Sequence, residues 1–231
     1  MSFLSVAQDL TAGRTLSRMS ATAERPSRAQ QRKLELRQEI IDAAFDCFAE
    51  RGYHATGIAD IATRLGIGHG TFYRYFDNKR DIVDQVITQL IGRIAAALQD
   101  ENAPEAVDSL AAYVDQAARI GEALGRILVG DPRVARMLLL EAPGIDPAMG
   151  DRVLDFFEGA ATWTAAYLDH GVKGGYLRAD LDVAGTATAI NGMIFASALT
   201  GIRHPDAGYQ RGLSEAIRRL MYDGIAAHPS P

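Results

Sequence analysis

Residues 61–67 read IATRLGI and residues 70–82 read GTFYRYFDNKRDI, with only Gly68 and His69 between them. Ile58, Ile61, Ala62 and Leu65 recur at three-and-four spacing, the period of one helix face. Gly66 supplies the residue type that ends a helix in a left-handed turn. A second short helix follows, carrying Thr71, Phe72, Tyr73 and Tyr75. Two short helices that cross steeply need a small residue where they touch, a turn residue that tolerates positive φ, and apolar side chains that lock the second helix down. Ala62 is the small contact, Gly66 the turn, and Ile61, Leu65, Ile67, Phe72 and Tyr75 the lock, so the stretch predicts a helix-turn-helix.

The pattern extends in both directions. Upstream, Ile41, Ala44, Phe45 and Phe48 fall on one helical face, with Glu39, Asp42, Asp46 and Glu50 mostly opposite, and Gly52 is the natural stop. Thr56 is placed to cap the helix that begins near Ile58. Downstream, Asp77-Asn78-Lys79 caps a longer helix through Ile82, Val83, Val86, Leu90, Ile91, Ile94 and Leu98. Beyond it, breaks at Pro104, Asp131-Pro132, Pro143-Gly144, residues 171–175 and His204-Pro205 bound helical segments at 106–128, 133–140, 147–170, 183–202 and 209–225. Alternating strand patterns with paired turn signals are missing, so the chain reads as all-α. We divide it into a basic arm (1–28), a three-helix helix-turn-helix domain (29–83) and a larger helical domain (84–231).

Composition narrows the function. A hydrophobic content of 48% over 231 residues suffices for a substantial core. The net charge of -5 argues against a protein that coats nucleic acid by bulk charge, but the charge is uneven. Residues 1–83 carry 12 basic and 10 acidic side chains, whereas residues 84–231 carry 12 basic and 19 acidic. The arm and its continuation hold Arg14, Arg18, Arg25, Arg28, Arg32, Lys33 and Arg37, suited to phosphates or to a solvated tail, and Met19 is a second possible start. The single cysteine, Cys47, rules out an intrachain disulfide and points to a reducing cytoplasm. The first 19 residues do not read as a signal peptide, and no uninterrupted apolar run approaches the length of a membrane span. His54, His69, His170, His204 and His228 lack metal-ligand spacing, no nucleophile elbow or phosphate loop is present, and neither metal, cofactor nor catalysis is expected.

Three blocks in order, CFAERGYHAT (47–56), IATRLGI (61–67) and GTFYRYFDNKRDI (70–82), resemble the TetR family of bacterial repressors, whose signature runs LFxExGYxxT, IAxxxGV, GTLYxHFxxKxxL. The resemblance covers residues 40–83 and implies binding to double-stranded operator DNA. By that resemblance Thr56, Tyr73, Tyr75 and Lys79 would contact phosphates, while His69, Gly70, Thr71 and Arg74 would face the bases. Gly68 departs from the family's usual capping Ser, and His69 from a common Lys. The resemblance further implies a homodimer, for which one short recognition helix per chain gives a physical reason. Ile190, Ile194, Leu213, Ile217, Leu220 and Met221 are the candidate interface. It also implies a small, largely apolar effector that releases the operator. Tyr113, Met137, Phe156, Trp163, Tyr167, His170, Asn191 and Met193 are the candidate pocket. A large domain that binds another protein, with no small-molecule trigger, is the alternative reading.

Overall fold

The computed structural model describes residues 27–98, 102–204 and 206–225, so all of the arm before residue 27 lies outside it. Helix α1 (Arg28–Arg51) opens with a capping box: the Ser27 hydroxyl accepts from the Gln30 N–H while the Gln30 carboxamide oxygen accepts from the Ser27 N–H. Its inward stripe of Ile40, Ile41, Ala44, Cys47 and Phe48 is buried. Helices α2 (Ile58–Leu65), α3 (His69–Phe72) and α4 (Lys79–Ala96) follow, the last capped by Asn78. A 3-10 turn (Pro104–Ala106) leads to α5 (Leu110–Leu128) and α6 (Pro132–Arg136), capped by Ser109 and Asp131. Helices α7 (Pro147–Lys173), α8 (Val183–Arg203) and α9 (Ala207–Ile225) complete the chain. Among the described residues there is no β-strand.

Two glycines sit where their freedom is required. Gly66, at φ +64, closes α2 with paired bonds from its own N–H to Thr63 and from Ile67 N–H to Ala62, the tight left-handed ending expected of the motif. Gly52, at φ +84, ends α1. An added Cβ there would stand 3.1 Å from a carboxylate oxygen of Glu141, a residue of the large domain.

The junction between α6 and α7 is irregular for a covalent reason. Pro143 has no N–H and its ring crowds the carbonyl four residues earlier, so an α-helix cannot run through it. The chain instead widens into a π-helical turn (Met137–Glu141), in which the Ala142 N–H reaches the Met137 carbonyl, and then tightens into a 3-10 turn (Ala142–Gly144). Asp146 restarts regular helix by capping α7 at Met149 N–H, 2.8 Å.

Two buried clusters organise the molecule. The first runs from Phe48, Ile61, Phe72 and Phe76 through Ile82, Ile87 and Leu90 into Val134, Met137, Leu138, Met149 and Phe156, so apolar packing crosses from α4 into α6 and α7 without a break. The second holds Val107, Tyr113, Tyr167, Leu168, Tyr176, Leu177, Ala187 and Ile190, where α5, α7 and α8 meet. By length and composition α8 could cross a membrane, with mean hydropathy 1.3 over its best window. Thr188, Asn191, Ser197 and Thr200 interrupt that apolar character, and α8 packs against α6, α7 and α9.

Gly52→Ala should lower stability by about 1–2 kcal/mol, because it forces an L side chain to positive φ, and the crowding at Glu141 adds to this. A urea midpoint equal to that of the parent would contradict this account of the turn.

Candidate nucleic-acid interface

Helix α3 is a single helical turn, too short to hold itself, and it is positioned by what it buries. Phe72 and Phe76 are 0% and 2% exposed, with ring centroids 5.9 Å apart, and Phe72 meets the Tyr73 ring edge-on at 5.6 Å. Anchoring that face leaves the opposite one outward: His69, Gly70 and Arg74 are exposed, Thr71 is half-buried, and Tyr73 is 53% exposed. Neither His69 nor Arg74 takes a hydrogen-bond or ion-pair partner among the described residues. Tyr75 is half-buried and packs against the first core. No side chain caps α3 at Gly68, as the departure from Ser at that position implied.

Helix α2 is held on α1 by charge. Arg64 meets both carboxylate oxygens of Glu50 at 2.8 Å and Asp46 at 3.3 Å, and Arg51 meets Asp60 at 2.7 Å. Asp60 also accepts the Gly57 N–H, 2.7 Å, which closes the start of α2. These bonds hold the Glu50 and Asp60 carboxyls below the usual carboxylate range, with Arg64 the main cause for the first and the Gly57 N–H for the second.

Thr56 and Lys79 are placed otherwise than expected. Thr56 is 1% exposed, and its hydroxyl points inward to the carbonyls of Gly52 (2.8 Å) and Cys47 (3.1 Å). The capping position of α2 belongs to Gly57 instead, so the expectation that the Thr56 hydroxyl caps α2 or meets a phosphate is corrected: it staples the end of α1. The Lys79 ammonium donates to the carbonyls of Tyr53 and Thr56, both 2.9 Å, and lies 4.3 Å from the centre of the Tyr53 ring. Two of its three protons are thus spent inside the protein, which leaves at most one for a phosphate.

The same turn docks on the large domain. Tyr53 N–H donates to Glu141 (3.2 Å), a His54 ring nitrogen lies 3.1 Å from the Gly144 carbonyl, and Arg80 binds Asp146 (2.5 Å). Arg152 of α7 reaches Asp84 (2.6 Å) and Thr88 (2.7 Å) on α4, and Arg133 reaches Asp46 (2.8 Å) on α1. The geometry therefore ties both ends of the helix-turn-helix unit to the π-turn region. None of these large-domain partners was singled out in the sequence as a junction residue, because they pair over dozens of residues.

The eight expected pocket residues do not form one group. Met137, Phe156 and Trp163 belong with the first core, whereas Tyr113, Tyr167 and Met193 belong with the second. His170 bonds the Val107 carbonyl at 2.9 Å, and Asn191 is satisfied by Thr164 and the carbonyls of Ala187 and Ala160. The Tyr167 hydroxyl reaches the carbonyls of Leu98 and Asn102, and burial pushes its pKa up to about 12. Two buried polar atoms, the Gln116 carboxamide oxygen and the Tyr176 hydroxyl, have no hydrogen-bond partner among the described residues. A separate cleft of about 330 Å³ opens between α1, α4 and the start of α6, lined in part by Phe45, Leu90, Arg93 and Asp131, none of them among the eight.

The expected dimer residues need a similar correction. Ile190 is 4% exposed and lies within the second core, and Ile194 packs against both cores, so these two face inward. The outward face of α8 is Ala184, Thr188, Gly192, Ala196 and Leu199, and on α9 Leu220 is 68% exposed while Leu213, Ile217 and Met221 are half-buried.

Residues 40–86 match the model of bacterial regulatory proteins, tetR family. The chain is 25% identical over 187 residues to the fatty acid metabolism regulator protein of Bacillus subtilis, covering 81% of this chain and 94% of that one. It is 45% identical over 51 residues to the HTH-type transcriptional repressor KstR2 of Rhodococcus jostii, covering 22% and 25%. Its structure is similar to that of the transcriptional regulator FadR from Bacillus subtilis in complex with stearoyl-CoA, with a TM-score of 0.67, 25% identity, and 81% and 98% of the two chains covered. The helix-turn-helix, the outward segment His69 to Arg74 and these likenesses together identify residues 40–86 as a DNA-binding domain of the tetR-family type, in a chain that is similar over most of its length to transcriptional regulators of that family.

Proposed function

We propose that the chain is a homodimeric repressor that occupies a near-palindromic operator and leaves it when a small, largely apolar ligand enters the helical domain. The observation that carries DNA reading is the set of exposed His69, Gly70 and Arg74 with half-buried Thr71, where His69 and Arg74 have no side-chain partner among the described residues, on a segment fixed from behind by Phe72 and Phe76. An Arg at such a position pairs bidentately with guanine and a Thr methyl contacts thymine. Tyr73 is the phosphate contact best supported by exposure, and Tyr75 and the third Lys79 proton are placed to assist it.

Dimerisation is supported by the outward face of α8, where Gly192 and Ala196 leave room for a second helix to approach closely, and by Leu199 and Leu220, 43% and 68% exposed. The ligand reading is supported by the second cluster, which brings Tyr113, Tyr167 and Tyr176 together, and by the buried Gln116 carboxamide oxygen and Tyr176 hydroxyl, which have no hydrogen-bond partner among the described residues. An unsatisfied buried polar group is destabilising by roughly 1–3 kcal/mol, which a ligand that supplies the missing bond removes. The FadR structure holds stearoyl-CoA, so a long acyl chain with a polar head is the first compound class to try. A ligand shifts the operator equilibrium only by its difference in affinity for the two states. The contacts at Glu141, Gly144 and Asp146 carry a displacement of α7 to the turn beside α2 and to the start of α4.

The tests use the full chain. Tyr73→Ala should weaken binding to a duplex selected by the parent from a random pool, by about tenfold or more, with an unchanged melting temperature. Thr56→Val should instead lower stability by about 1–3 kcal/mol through the unmade bonds at Gly52 and Cys47. Retained affinity in Tyr73→Ala contradicts its phosphate role. Stearoyl-CoA should raise the Kd for the same duplex, and the double variant Glu141→Ala, Arg80→Ala should bind the duplex comparably while losing most of that ratio. A ratio that survives intact places the coupling elsewhere.

A further inference from the structure

The first two turns of α1 contribute nothing to the apolar core, which Leu36 is the first side chain to touch. Residues 27 to 35 are all exposed, Leu34 at 57%, and the helix first buries a side chain at Ile40, where the family match also begins. A free helix of about two turns does not hold itself in water. This overhang is nevertheless built to stay helical: the Ser27 capping box closes its end, Gln31 bonds Glu35 (3.1 Å), and Gln38 braces it against Gln89 of α4 (2.9 Å). At 1.5 Å per residue the exposed residues 28–35 project about 12 Å, a third of the length of one turn of B-DNA.

Its charge and its position point to the same partner. The overhang carries Arg28, Arg32, Lys33 and Arg37 against Glu35 and Glu39, and Glu35 is engaged by Gln31. Arg28, Arg32 and Lys33 enter no ion pair among the described residues. Arg37 lies 5.0 Å from the centre of the Phe76 ring, and Phe76 packs on Phe72 of α3. The base of the overhang is thus fastened to the segment that presents His69 and Arg74, so the cations above it are carried on the same body as α3.

We infer that the overhang is a second DNA-contacting element, in which Arg28, Arg32 and Lys33 neutralise phosphates flanking the bases that α3 meets. This rests on the DNA-binding reading above. Such contacts add affinity and salt dependence without adding sequence information.

The test uses the full chain and its Arg28→Ala, Arg32→Ala, Lys33→Ala triple variant; the positions are exposed and Ala preserves helix. The probe is a duplex that the parent selects from a random pool, prepared with ten flanking base pairs on each side and again without them. Anisotropy titrations over a salt series should show the variant's slope of log K against log salt reduced by about 0.9 per contact, up to about 2.7. The variant should select the same sequence, and the parent's slope on the trimmed duplex should fall to the variant's. Equal slopes on the flanked duplex overturn the proposal, as does a variant deficit that is undiminished by trimming, which would assign the cations to the core site or to another partner. A parent that selects no duplex overturns this proposal together with the DNA-binding reading, whereas selection with equal slopes overturns this one alone.

Discussion

The Lys79 ammonium holds the DNA-binding unit together. It draws the carbonyls of Tyr53 and Thr56 onto the first residue of α4 and lies against the Tyr53 ring. A hydrogen bond from a charged donor is worth roughly 1.5–3 kcal/mol, more than its neutral counterpart, and two of them converge here. The turn from Gly52 to Gly57 has few residues in which to satisfy its own backbone, and side chains do so: its own Thr56 hydroxyl donates to the Gly52 carbonyl, Glu141 accepts the Tyr53 N–H, and Asp60 accepts the Gly57 N–H. Helix α2, the start of α4 and the π-turn region all meet at that turn. The short recognition helix inherits its position from them and from the burial of Phe72 and Phe76.

The same arrangement explains why a regulator can be built on so small a recognition element. Three contacts, at Glu141, Gly144 and Asp146, join one irregular segment of the large domain to the turn before α2 and to Arg80 on α4. That segment is irregular because Pro143 forbids continuous helix. An irregular turn has fewer internal bonds to hold its shape than a regular helix, so it depends on the packing of α6 and α7 on either side. The first core, continuous from Phe48 to Phe156, makes the two domains one packed body in which the 83/84 boundary read from sequence marks a change of charge more than a gap in packing.

What was legible in the sequence was local. Gly66 at positive φ, Gly52 as a stop, the cap at Asn78, the break at Asp131-Pro132, and helices close to the periodic segments all follow from short-range stereochemistry and a 3.6-residue period. What was hidden was the choice of partner. Thr56 and Lys79 carry the residue types that phosphate binding needs, yet the turn's own carbonyls claim them first. Lys79 meets those carbonyls 23 and 26 residues away, a separation no local pattern encodes. Helix α8 is apolar nearly all round, so its period does not mark which side faces the core. Ile190 was therefore assigned outward while Gly192 and Ala196 hold the open face. The candidate pocket divided for a related reason: Phe156 and Tyr167 lie on one helix, but that helix spans two cores.

The central claim is that the segment from His69 to Arg74 reads bases while buried aromatics and Lys79 hold it in place. Selection of duplexes from a random pool by the parent and by Arg74→Ala measures this directly. The account predicts that the variant loses base preference at one symmetric pair of positions and keeps it elsewhere, with its fold intact. An identical selected motif from both proteins would contradict it.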